Sequence, residues 1–197
     1  MLLRCTQKFL KELRLKKSDI TVYPKIDYPL DEWYVNVFTL YPRRKCAVFV
    51  HDRTMFSFFA LDVKREDLNA IGSIFRQRLS RALLDEHYPA TVLKLFNERM
   101  KVIRVTSTID RVVIGTINRM VLDLQYFGNE TERLKVHNEF VLGAYFRRGC
   151  FLAFKEAPLK AMRRILLNLD ELKGEEIPEP LTDKEMSVHL GVDSIYS

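Results

Sequence analysis

The chain has 197 residues, of which 47% are hydrophobic and 29% charged, with only 7 glycines and 7 prolines. This composition is typical of one folded domain with a sizeable core, and it excludes fibrous and intrinsically disordered proteins. The net charge is +6, but residues 170–197 hold eight acids and two bases. Residues 1–169 therefore carry +12 and residues 170–197 carry −6, which predicts one domain at 1–169 followed by an acidic C-terminal tail or arm.

Several protein classes are excluded by what the sequence lacks. It contains no apolar run near the ~20 residues that span a bilayer, and its first residues lack the apolar core of a signal peptide. The three cysteines are widely spaced and form no CxxC pair, which favours a reducing compartment. We therefore expect a cytoplasmic protein with no membrane partner. No metal-ligand spacing, phosphate loop or nucleophile motif is present, so we expect no metal, no cofactor and no catalytic residue.

Hydrophobic periodicity predicts alternating strands and helices along the chain. The predicted strands are residues 2–6, 33–40, 45–50, 55–61, 100–105 and 150–154, and the predicted helices are 7–13, 67–84, 89–98, 108–127, 130–142 and 158–169. Residues 45–50 and 55–61 are rich in β-branched and aromatic side chains and flank a short polar turn, which predicts a hairpin. The resulting fold class is α+β: a mostly antiparallel sheet of about four or five strands with a central β-hairpin, covered by about five helices.

The helix predicted at 108–127 has distinct signals at its ends. Ser107 followed by Asp110 matches a capping box, and Gly128 is expected to end the helix. Gly115 lies inside the helix, where it costs about 1 kcal/mol relative to alanine. That cost predicts a close approach of another backbone or a ligand at Gly115.

Five segments of the chain occur in an order that resembles a known family. The resemblance covers residues 1–125, and the family consists of small bacterial proteins classed only as a domain of unknown function. It implies a bacterial, cytoplasmic protein and carries no catalytic assignment, so no active residue follows from it. The matching residues are Arg4-Cys5-Thr6-x-Lys8, Trp33 with Asn36, Arg43-Arg44-Lys45-Cys46, Thr54-Met55-Phe56-Ser57-Phe58, and Arg111 with residues 114–118.

The first candidate site is basic and lies at the hairpin. Arg43 and Arg44 precede its first strand, Lys45 begins that strand and Arg53 follows it, so we expect them to hold phosphates in one exposed positive patch. The arginine fork suits two phosphate oxygens, and neighbouring aromatic side chains offer stacking surfaces for bases. The alternative interpretation is a solvated strand end above an aromatic core.

The second candidate site is the beginning of the helix that follows residue 107. Its unpaired backbone N–H groups attract anions, and Arg111 and Arg119 would add positive charge. The alternative interpretation is a capped core helix without a ligand.

These patterns lead to one main hypothesis and two alternatives. The main hypothesis is a nucleic-acid-binding regulatory or accessory factor that contacts RNA or DNA. The first alternative is a protein-interaction module, or a homodimer, whose C-terminal tail docks on a partner. The second is a small phosphate-directed hydrolase or ribonuclease in which His51 acts as a general base. A non-enzymatic role is the expectation.

Overall fold

A computed structural model describes residues 1–16, 20–40, 44–108, 110–134, 139–148, 156–180, 182 and 185. In these segments the strands are β1 (Leu2–Cys5), β2 (Glu32–Leu40), β3 (Arg44–His51), β4 (Ser57–Ala60) and β5 (Arg104–Ser107). The helices are α1 (Gln7–Glu12), α2 (Arg65–Asn69), α3 (Ile71–Asp85), α4 (Ala90–Arg99), α5 (Arg111–Leu134), α6 (Glu139–Arg148) and α7 (Pro158–Leu167), followed by a short 3₁₀ helix (Asp170–Leu172). None of the helices in these segments is long and apolar enough to cross a membrane.

The five strands form one mixed sheet in the order β4-β3-β2-β1-β5. Strands β2, β3 and β4 are consecutive and antiparallel, whereas β1 pairs in parallel with both β2 and β5. The predicted hairpin is confirmed, because Val50 lies opposite Ser57 and Ala47 opposite Ala60. The predicted α+β class with a mostly antiparallel sheet is also confirmed.

Helices cover both faces of the sheet. Because side chains alternate along each strand, successive residues of a strand belong to opposite faces. One face carries Trp33, Phe49 and Phe58 and packs against α1, α3, α4 and α7. The other face carries Tyr34 and Phe59 and packs against α5 and α6. The first face is dominated by aromatic contacts: the rings of Phe49 and Phe58 stack with centroids 4.9 Å apart, within the favourable range for aromatic pairs. Helices α1 and α5 therefore lie on opposite sides of the sheet.

Two predicted ends of α5 are wrong. Asp110 is the N-terminal cap, because its Oδ1 accepts hydrogen bonds from the backbone of Val112 (2.8 Å) and Val113 (3.2 Å). Ser107, the predicted cap, is instead the last residue of β5, where strand pairing holds its backbone. At the other end the helix continues through Gly128 to Leu134. The cost of about 1 kcal/mol for one interior glycine is too small to end a helix of 24 residues.

Other boundaries differ in smaller ways. The helix predicted at 67–84 is two helices, because Ala70 has a non-helical backbone that ends α2 and precedes α3. The strand predicted at 150–154 lies outside the described residues.

The first part of the acidic segment packs onto the main core. Leu172 and Ile177 are buried in the cluster that includes α4 and α7. Arg163 of α7 donates from Nε to the carbonyl oxygens of Ile177 (3.1 Å) and Pro178 (3.0 Å), and its Nη2 lies 3.0 Å from Glu179 Oε1. The acidic run therefore contacts a base of α7 at Glu179. Residues 186–197 lie outside the described residues.

Candidate nucleic-acid interface

The structure separates the bases that the sequence grouped at the hairpin. Arg44 and Lys45 are the first residues of β3, and Arg53 follows the last. Eight residues of strand span about 24 Å between their first and last Cα atoms. Arg44 and Arg53 therefore cannot form one local phosphate site. Arg43 lies outside the described residues.

Arg44 and Lys45 each have a carboxylate partner. Arg44 forms a two-pronged pair with Asp62, with Nε 2.6 Å from Oδ1 and Nη2 2.5 Å from Oδ2, and this hydrogen bonding raises the pKa of the guanidinium. Lys45 Nζ lies 2.6 Å from Glu12 Oε2. Both pairs are partly exposed, where an ion pair contributes about 0–1 kcal/mol. A phosphate at either base must therefore compete with a carboxylate already in place.

The remaining predicted bases lie elsewhere. Arg53 is exposed and donates from Nη2 to the carbonyl oxygen of Asp27 at 2.7 Å. Arg111 and Arg119 are exposed on α5, across the sheet from α1, and Arg119 Nε lies 3.0 Å from Asp123 Oδ1. Outside its own helix backbone, a Cβ at Gly115 would have no described atom within 4 Å, so no other part of the described protein makes the close approach expected there.

A denser group of bases occurs on α1 and the residues after it. Residues 7–16 contain four bases and a single acid, Glu12. Lys8, Lys11 and Arg14 are exposed, and none of the three forms an ion pair with another described residue. The carboxylate of Glu12 already forms an ion pair with Lys45. We call Lys8, Lys11 and Arg14 the α1 basic surface.

The local sequence explains why these bases point outward. Thr6 caps α1 by accepting a hydrogen bond from the backbone of Phe9 at 3.3 Å, and Phe9 and Leu10 are buried in the core. Lys8 and Lys11 are three residues apart, so they lie on one side of the helix, away from that core. The three-residue spacing of these bases was visible in the sequence and was not recognised as a site.

Other bases of the chain are buried and belong to the fold. Arg4 forms a buried ion pair with Glu32 and donates to the carbonyl oxygens of Tyr23 (3.2 Å) and Pro24 (2.9 Å). Glu32 also accepts a hydrogen bond from the backbone of Ile26 at 2.9 Å. The pair therefore anchors the loop between α1 and β2 to the sheet.

A second buried cluster joins α6 to the end of α3. Glu86 Oε1 lies 2.6 Å from Arg147 Nε, and Glu86 Oε2 lies 2.5 Å from Arg148 Nη2. Burial alone would favour the protonated acid, but the two guanidinium groups hold the pKa of Glu86 below its usual value. Arg147 also donates to the carbonyl oxygen of Ser57 at 3.1 Å. These arginines are not available to a polyanion.

The hypothesis that His51 acts as a general base is wrong, because His51 is 0% exposed. Its Nδ1 lies 2.8 Å from Thr54 Oγ1, and its ring centroid lies 4.8 Å from that of Trp33. Burial lowers the pKa of His51 to about 3, so the ring is neutral at pH 7. A substrate cannot reach it. Among the described residues, no group of three His, Cys, Asp or Glu side chains could hold a metal ion.

Comparison with known proteins places the chain by family alone. No curated protein and no solved structure matches it. The family model described as Domain of unknown function (DUF6933) matches residues 2–141, which is more than half of the chain. This confirms the resemblance seen in the sequence, and the chain belongs to the DUF6933 family.

Proposed function

We propose that this protein binds nucleic acid through the α1 basic surface, as a regulatory or accessory factor. The observation that supports the proposal is the exposure of Lys8, Lys11 and Arg14 without carboxylate partners among the described residues. Elsewhere, bases such as Arg44, Arg119 and Arg163 are already paired with acids. A phosphate at the α1 basic surface displaces only water and counterions. Arg53 and Arg111 also lack a described carboxylate partner, but they lie in different parts of the chain, whereas the α1 basic surface groups three such bases within seven residues.

The chemistry of the surface favours recognition of the backbone over recognition of sequence. Two of its three bases are lysines, whose compact, mobile ammonium groups contact phosphates as point charges. Contacts to phosphates position a nucleic acid and carry no direct sequence information. We therefore expect affinity that falls steeply with salt, with a slope of log K against log salt of about −3 for three phosphate contacts.

A binding role is favoured over a catalytic one by the position of His51. The ribonuclease alternative needed an accessible imidazole beside a phosphate-holding arginine. His51 is buried against Trp33 in the core of the sheet, so the ribonuclease hypothesis has no accessible general base.

The test is a charge reversal on α1 with a matched control. Binding of a fluorescein-labelled 20-base-pair DNA duplex, and of an RNA duplex of the same sequence, is measured by anisotropy between 25 and 200 mM salt. Lys8→Glu/Lys11→Glu should weaken binding at low salt at least tenfold and reduce the salt slope by about two. The control, Lys94→Glu/Lys160→Glu, changes the net charge equally at two exposed lysines of α4 and α7 and should cost less than threefold.

Two outcomes would contradict the proposal. Equal losses in both double variants would show that affinity follows net charge and has no site on α1. The absence of wild-type binding to either nucleic acid at 25 mM salt would remove the function itself.

A further inference from the structure

We propose that the outer face of α5 is an interface at which two copies of this chain pair in antiparallel orientation. Val112 and Leu122 are 64% and 59% exposed, and Gly115 lies between them on the same side of the helix. The space in front of Gly115 is empty to 4 Å among the described residues. Large exposed apolar side chains beside an open glycine are a surface on which another helix can approach closely.

The two sides of α5 are clearly different. Val113, Ile117, Met120 and Leu124 are buried against the sheet. The outer side has its own row at helical spacing, formed by Arg111, Val112, Gly115, Arg119 and Leu122. The core therefore explains the inner row, and the apolar members of the outer row have no described partner.

Charge complementarity identifies a second copy as the occupant. In an antiparallel pair that sets Val112 opposite Leu122 of the second copy, Arg111 lies opposite Asp123, and the two-fold axis repeats both contacts. Arg111 forms no ion pair with another described residue. The Asp123 side chain is 31% exposed and its Oδ1 lies 3.0 Å from Arg119 Nε of the same helix, so Arg111 of the second copy joins an existing pair. The same surface thus supplies both the base and the acid.

The same register places Gly115 opposite Arg119 of the second copy. Within this chain, the guanidinium group of Arg147 already packs directly against a glycine. A Cβ built at Gly143 would lie 2.5 Å from Arg147 Nη1, so only glycine leaves room for that group. At Gly115 the corresponding space is open to the outside, so the stem of Arg119 from the second copy can cross it. A glycine is a poor helix former, and its presence at this position is then explained by the close approach of the second copy.

The contact is narrow, so the dimer is weak. A single helix buries less than the roughly 800 Å² per partner of a standard interface. We expect a dissociation constant of about 10–100 μM, measured as a concentration-dependent mass by sedimentation. Gly115→Leu should abolish this association without lowering the melting temperature, since a Cβ there meets no described atom within 4 Å outside the backbone of its own helix, and leucine is the better helix former.

The register is tested by cysteine cross-linking under mild oxidation. An equimolar mixture of Val112→Cys and Leu122→Cys proteins should form a disulfide-linked dimer, because the two positions face each other. Each variant alone should form no disulfide-linked dimer, because two copies of the same position lie about 15 Å apart along the helix axis. The wild type controls for the native cysteines.

Three results would overturn the proposal, which does not depend on nucleic-acid binding. They are a wild type that is monomeric at 300 μM, a Val112→Cys variant that cross-links to itself, and a dimer that survives Gly115→Leu. A chain without residues 186–197 that dimerises where the full chain does not would show that its own tail covers α5, and would also refute the proposal.

Discussion

The bases of the α1 basic surface, Lys8, Lys11 and Arg14, are exposed without described carboxylate partners, whereas Arg4 and Arg147 are buried in contact with glutamates. All five count equally in the +12 of residues 1–169. Only the first three can reach a phosphate, and the other two hold loops and helices to the sheet. The net charge of a sequence therefore overstates the number of bases that can bind a polyanion, because buried bases are counted in it as well.

Substitutions in the α1 basic surface and at the buried arginines should differ most in their effect on the free energy of unfolding. Arg4→Ala should lower the free energy of unfolding by about 3–5 kcal/mol, because Glu32 stays buried without its partner. Lys8→Ala should change it by less than about 0.5 kcal/mol. Urea unfolding followed by the fluorescence of Trp33, the single tryptophan, measures both.

The Arg4 result can be checked by removing both charges. Arg4→Met/Glu32→Leu should recover much of the loss, since a buried pair often contributes no more than apolar side chains of similar size. An Arg4→Ala protein within 1 kcal/mol of the wild type would show that the pair is not the anchor that its burial indicates.

An intermediate effect concerns pH and the buried His51. Its folded pKa of about 3 lies below the ordinary value of 6.5, so between these values the unfolded chain binds a proton that the folded protein does not. Stability should therefore fall as pH decreases from 6.5 towards 5, with His51 contributing about 1 kcal/mol per pH unit. His51→Asn should flatten this dependence in urea unfolding at several pH values.

A core substitution without a titrating group provides the control for that measurement. Phe49→Leu should lower stability at every pH and keep the wild-type pH dependence, because it leaves His51 in place. If His51→Asn and the wild type lose stability in parallel between pH 6.5 and 5, the buried histidine is not the source.

The smallest expected effect lies at the border of the α1 basic surface. Glu12→Gln removes its single acid and releases Lys45. Stability should change by less than about 1 kcal/mol, because the pair is partly exposed. Nucleic-acid affinity should rise, and the salt slope should steepen by about one as Lys45 gains a phosphate. An unchanged slope in the anisotropy titration would place Lys45 outside the interface.

Local patterns predicted most of the fold. The β-branched and aromatic runs around residues 51–54 were enough to predict the β3–β4 hairpin, because pairing across a short turn depends on nearby residues. The beginning of α5 was misplaced by three residues, since two acceptors, Ser107 and Asp110, both suit a cap and strand pairing decides between them.

The candidate site was harder to predict, because ion pairing joins distant parts of the chain. Arg44 meets Asp62 18 residues away, and Arg147 meets Glu86 61 residues away. No local pattern shows which arginines are used in this way. The bases of α1 needed only the three-residue spacing of a helix, so that part of the site was within reach of the sequence.

The position of β1 has a consequence for synthesis on the ribosome. This strand at the start of the chain lies between β2, about 30 residues later, and β5, where Leu2 pairs with Arg104. Until β5 has emerged from the ribosome, one edge of β1 has unpaired backbone groups that can bind another strand. This edge of β1 therefore stays unpaired until residues 104–107 have been synthesised, and a chain that ends before them would be prone to aggregate.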